Sequence, residues 1–121
     1  MTNTLNWFEI PVSDMVRATK FYGEIFEITL KADPAMPGYH MAMFPDQGGV
    51  GGALLDGPGY IPSSSGSLVY LNGGDDLSPV LNRVEKAGGK ILQNKTSIGK
   101  NGFMAYIEDT EGNKVGLHSM N

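Results

Sequence analysis

The chain has 121 residues, enough for one domain with its own core and too few for two. It contains no cysteine, which excludes thiolate catalysis, disulfide bracing and sulfur-ligated metal sites. Nine Lys and Arg against 13 Asp and Glu give a net charge of -4 with no basic stripe, so the cationic surface that nucleic-acid binding requires is missing.

The first apolar segment, Leu5-Asn6-Trp7-Phe8 running into Glu9-Ile10-Pro11-Val12, alternates as a short strand. Ser13 and Asp14 are both suited to cap a helix. From there Ala18, Phe21, Ile25 and Phe26 recur at helical spacing, with Gly23 as a local weakness. Residues 27 to 32 read as a second strand, His40 to Phe44 as a third after the Pro34–Pro37 turn, and Val50 to Leu55 as a fourth after Asp46–Gly49. A loop of Gly, Pro and Ser composition spans 56 to 66. The same order then returns. Ser67 to Leu71 is a strand, and Asp75 or Asp76 caps a helix carrying Leu77, Val80, Leu81 and Val84, with Pro79 in its first turn. Gly88-Gly89 ends that helix, and strands follow at 90 to 93, 103 to 107 and 114 to 117. Lys100-Asn101-Gly102 and the segment from Asp109 to Asn113 are turns.

The repetition extends to individual residues. An offset of 63 carries Met41 to Met104, Ala42 to Ala105, Asp46 to Asp109, Gly49 to Gly112 and Leu54 to Leu117, while an offset of 62 carries Asp14 to Asp76. Matches at one spacing with a repeated element order indicate an internal duplication. The expected fold is α+β: one domain, 1–121, of two β-α-β-β-β modules at about 5–55 and 67–118, forming curved mixed sheets around a cleft.

Three stretches carry a family resemblance: Phe8 to Tyr22, with Val12, Asp14 and the Phe21-Tyr22 pair; Val84 to Lys90; and Phe103 to Leu117. In these the chain resembles the vicinal oxygen chelate superfamily, which includes glyoxalases, bleomycin-resistance proteins and extradiol dioxygenases. The resemblance implies paired modules around a cleft, commonly as a homodimer. It also implies that metal-dependent members bind a divalent ion through strands one and four of each module, at positions falling here on Trp7, Ala53, Val69 and Gly116. None of these side chains offers an imidazole, carboxylate, amide or thiolate. Strand four holds no donor from Val50 to Leu55. The reading is therefore of a chain with no metal site and no cofactor.

Strand parity then suggests what lines the cleft. If Trp7 faces it, so do Glu9 and Pro11; if Gly116 faces it, so do Lys114 and His118. Glu9 and His118 become candidates for acid-base work, against a reading in which Glu9 meets backbone or solvent and His118 is exposed near the C-terminus. Trp7 either stacks on a planar ligand or fills volume. Tyr70 and Tyr106 offer phenolic hydrogen bonds, and Gly116, like Gly51 and Gly52, gives room for a ligand or for tight sheet geometry. Tyr39 and the loop from Ala32 to Gly38 form a cavity rim. The glycine pairs make no phosphate loop, and no Ser-His-acid arrangement is present.

The leading expectation is a metal-independent small-molecule-binding protein whose partner is a small organic molecule. The alternative is a lyase, isomerase or dioxygenase-like enzyme using Glu9 and His118. The first residues carry no basic segment followed by an apolar run, and no stretch is long enough to span a bilayer, so a cytoplasmic location is expected.

Overall fold

The structure is a computed structural model describing residues 3–35 and 37–121; Met1, Thr2 and Met36 lie outside the described residues. Among the described residues, eight strands and two α-helices run twice through a β-α-β-β-β order: β1 Trp7–Pro11, α1 Met15–Phe26, β2 Lys31–Asp33, β3 His40–Met43, β4 Gly51–Asp56, then β5 Tyr70–Asn72, α2 Ser78–Val84, β6 Lys90–Ser97, β7 Phe103–Glu108 and β8 Lys114–Ser119. Each module makes one four-stranded mixed sheet, ordered β1-β4-β3-β2 and β5-β8-β7-β6. In both, the first strand runs parallel to the fourth and the remaining pairings are antiparallel. Among the described residues, no helix is long and apolar enough to cross a membrane.

Helix α1 begins as its sequence dictates. The Asp14 carboxylate accepts from the Arg17 amide at 3.0 Å, and Ala18, Phe21, Tyr22 and Ile25 form its buried stripe. It ends where Glu27 takes the left-handed conformation (φ 55°), which delays β2 to Lys31 rather than residue 27. Helix α2 starts one or two residues later than a cap at Asp76 or Asp75 implies. Leu77 occupies the capping position without a side-chain bond, while the Asp76 carboxylate accepts from the Ser78 amide at 2.8 Å. Strand β6 is longer than expected, running to Ser97 through register shifts between Ile91 and Thr96.

The helices pack on one another, and a single core of Ile10, Val12, Phe21, Tyr22, Ile25, Leu54, Leu77, Val84, Ile107 and Leu117 joins the modules. The turn after β7 locks them together. Buried Asp109 accepts from the Tyr22 hydroxyl at 2.7 Å and from the backbone amides of Glu111 and Asn113, and Asn113 Nδ2 donates to Pro11 O at 2.7 Å. Glu111 accepts from the amides of Ser13 and Asp14 and pairs with Arg17 at 2.7 Å, so the second module caps the first module's helix. Arg83 Nε on α2 closes the other end by donating to Ile25 O at 2.8 Å.

Candidate functional site

Alternation along β1 sends Ile10 and Phe8 to the core and Trp7 and Glu9 to the opposite face of the first sheet. There Trp7 Nε1 donates to Glu9 Oε2 at 3.2 Å, and Tyr60, from the connection between the modules, donates its hydroxyl to Glu9 Oε1 at 2.8 Å. Tyr39 meets Tyr60 edge-to-face, with centroids 6.1 Å apart. These groups border a cavity of about 620 Å³ lined by Glu9, Tyr39, Met41, Leu55 and Tyr60 with Pro34 and Ala35. The hydrogen bond to Glu9, with burial second, raises the Tyr60 phenol above its ordinary pKa.

The second sheet has its own concavity, of about 750 Å³. Tyr70, Tyr106, Met104 and His118 line it, along with Asn72, Gln93 and Ile98. The Tyr70 and Tyr106 hydroxyls are 2.8 Å apart, and that bond raises the Tyr70 pKa. Lys114 Nζ lies 4.3 Å from the Tyr106 ring centroid. His118 Nε2 donates to Asn101 O at 2.6 Å, which fixes a proton on that nitrogen.

The glycines of these strands give way to aromatic rings rather than to open space. A Cβ on Gly116 would lie 2.5 Å from Tyr70 Cδ1, one on Gly51 would lie 3.2 Å from the Trp7 ring, and one on Gly52 would overlap Phe8. Each ring crosses to the neighbouring strand and covers backbone that a larger residue would fill.

The two ladders show which strand positions correspond. The pairs Met41–Leu55, Ala42–Leu54 and Met43–Ala53 recur 63 residues later as Met104–His118, Ala105–Leu117 and Tyr106–Gly116. The first strands differ. Glu9 faces Ala53 whereas Tyr70 faces Gly116, so β1 and β5 are related by 61 residues. This corrects the placement of Val69 opposite Trp7. Val69 packs against the core, and by alternation Leu68 corresponds to Trp7. Trp7, Ala53, Leu68 and Gly116 supply no donor, so the residues present do not fit the family's metal. Among the described residues, no three His, Cys, Asp or Glu side chains gather to hold an ion.

Trp7 and Glu9 thus belong to the first concave face, and Tyr70, Tyr106, Gly116 and His118 to the second. Glu9 and His118 line different cavities and share no hydrogen bond within the chain. A smaller cavity of about 230 Å³ lies between the modules, where Glu9 and Pro11 approach Val69 and Lys114. Tyr60 was not among the sequence candidates. Its only signal is a large aromatic side chain set in a Gly-, Pro- and Ser-rich connection.

Two modules of this topology, with their helices packed together, define a glyoxalase-like fold. The chain belongs to the Glyoxalase/Bleomycin resistance protein/Dioxygenase superfamily, whose family model matches residues 4–117. It is 34% identical over 119 residues to a glyoxylase-like domain-containing protein of Didymella fabae, covering 90% of this chain and 88% of that one. It is 29% identical to CFP32 of Mycobacterium bovis, provisionally named a glyoxylase; that match covers 98% of this chain but only 46% of the mycobacterial protein, so the chain spans about half its length. Among solved structures it resembles TnmS3, an antibiotic-binding protein from a Streptomyces species, with a TM-score of 0.66, 23% identity and coverage of 100% and 99% of the two chains. Glyoxalase I from Zea mays matches with a TM-score of 0.69 and 22% identity, over 95% of this chain and 44% of the maize one.

Proposed function

We propose that this protein binds a small, planar organic molecule without a metal and without transforming it. The observation that carries the reading is that Trp7, Ala53 and Gly116, with Leu68 just before β5, stand at the positions corresponding to the metal ligands and offer no donor, while both modules' cavities are lined with aromatic and apolar groups. Aromatic walls with a few fixed polar groups suit a flat, largely apolar ligand that stacks and is oriented by hydrogen bonds. Tyr70, Tyr106, His118 and Asn72 supply those groups on the second face. The likeness to an antibiotic-binding protein of the same fold supports the reading, although it comes to this chain as fold alone. Two open half-clefts also favour a homodimer, in which the first face of one copy closes over the second face of another; in that arrangement Trp7 and Tyr70 would bracket one ligand.

Trp7 is the only tryptophan and donates to Glu9 beside the first cavity, so its fluorescence reports that face. Protein treated with chelator is titrated with planar polycyclic compounds. Saturable quenching, weakened at least tenfold in Tyr70→Ala, is expected. Absence of binding by every compound until a divalent metal is restored would overturn the proposal.

A further inference from the structure

Glu9 is exposed on β1, at the border of the first-module cavity. Its carboxylate forms no ion pair among the described residues, whose ion pairs are Arg17–Glu111, His40–Asp56, Arg83–Glu27, Lys90–Glu108 and Lys95–Asp76. Instead each oxygen accepts from an aromatic side chain, Oε2 from the Trp7 indole and Oε1 from the Tyr60 hydroxyl. Those bonds fix the carboxylate without neutralising it. The Tyr39 and Tyr60 rings stand nearly perpendicular, at 83°, as two walls of the same cavity, and Met41 and Leu55 complete an apolar lining.

A fixed negative charge with electron-rich ring faces beside it, in a cavity otherwise apolar, matches the requirements of one class of ligand. An organic cation gains from the charge and from the ring quadrupoles. Its alkyl groups fill apolar space, and a quaternary ammonium needs no hydrogen-bond acceptor, which suits a carboxylate whose oxygens are already engaged. A hydrated metal ion gains less, because Glu9 is the one carboxylate among the described residues lining the cavity and a single carboxylate replaces little of its water. An anion is repelled.

We infer that the first-module cavity bounded by Glu9, Tyr39 and Tyr60 is a binding site for a quaternary or tertiary ammonium group. This deepens the small-molecule reading and rests on it: the site specifies a cationic moiety on the ligand. Tyr60 is a positioning residue. It aims the carboxylate and supplies one wall, and because it lies on the connection between modules it ties ligand recognition to that segment.

The test compares benzyltrimethylammonium and choline with 3,3-dimethylbutan-1-ol, which has the shape of choline but no charge, using Trp7 fluorescence and calorimetry on the full chain. Both cations are expected to bind saturably and the neutral alcohol at least tenfold more weakly. Glu9→Gln, which keeps the acceptor oxygen and removes the charge, is expected to abolish that preference, while a thermal melt of the variant checks that it folds. Equal binding of cation and neutral isostere, or a preference unchanged in Glu9→Gln, overturns the cation site. If the cations fail while neutral planar compounds still quench Trp7, the cation site is wrong and the broader binding reading stands. If the cations bind and no planar compound does, the cation site stands and the planar-ligand reading falls.

Discussion

The two concave faces share one sheet topology and carry opposite chemistry. Glu9 opposite Ala53 and Tyr70 opposite Gly116 occupy corresponding rungs, yet the first presents a fixed carboxylate and the second a neutral pair of phenols. On the core side the copies agree closely. Ile10 and Leu71, Ala42 and Ala105, and Leu54 and Leu117 are all buried aliphatic residues at matched positions. Packing constrains the residues that join the modules, because a volume change there costs stability. The residues lining the open cavities are free of that constraint and differ between the two sheets.

The most drastic way to break the comparison is to remove what holds both faces together. Asp109→Ala leaves the Tyr22 hydroxyl and the amides of Glu111 and Asn113 without their shared acceptor. It is expected to cost about 3 kcal/mol, read as a lowered urea midpoint with both faces lost in one transition. Gly116→Ala separates the faces. The new Cβ meets the Tyr70 ring, displaces it from Tyr106, and is expected to cost about 1–2 kcal/mol while planar-ligand binding falls and cation binding at Glu9 persists.

Acid acts on the clamp in a defined window. Burial alone would raise the Glu111 pKa, but the Arg17 guanidinium and the amides of Asp14 and Ser13 outweigh it and hold the carboxyl at about 2, below its ordinary 4.5. Because the folded value is depressed, this stabilisation is fully present above about pH 4.5 and is lost as pH falls toward 2. Denaturation midpoints measured across that range are expected to decline, and Arg17→Ala to flatten the decline. Smallest of all, Tyr106→Phe removes one phenol from an exposed pair and is expected to change stability by under about 1 kcal/mol, shifting ligand affinity more than melting temperature.

Much of the fold was legible because its signals are local or periodic. The helical spacing of Ala18, Phe21 and Ile25, the Asp14 cap and the 63-residue repeat all carry through to the structure. The site was legible only by face. Strand parity placed Trp7 with Glu9, and Gly116 with Lys114 and His118. Val69 was misplaced because the copies differ in length between β5 and α2, and a one-residue slip in a strand exchanges core for cavity. Tyr60 lies 51 residues from Glu9, and Asp109 lies 87 from Tyr22; contacts that distant arise from how the modules dock and leave no periodic trace.

The central claim is that a glyoxalase-like scaffold serves here without its metal. Calorimetric titration of chelator-treated protein with a planar ligand identified by the Trp7 screen, repeated after loading with zinc, nickel, manganese or iron(II), tests it most directly. The same dissociation constant with and without metal, and no stoichiometric metal uptake by the protein alone, is the predicted result. Uptake of one ion per chain, with ligand binding or turnover appearing only in its presence, would contradict the account.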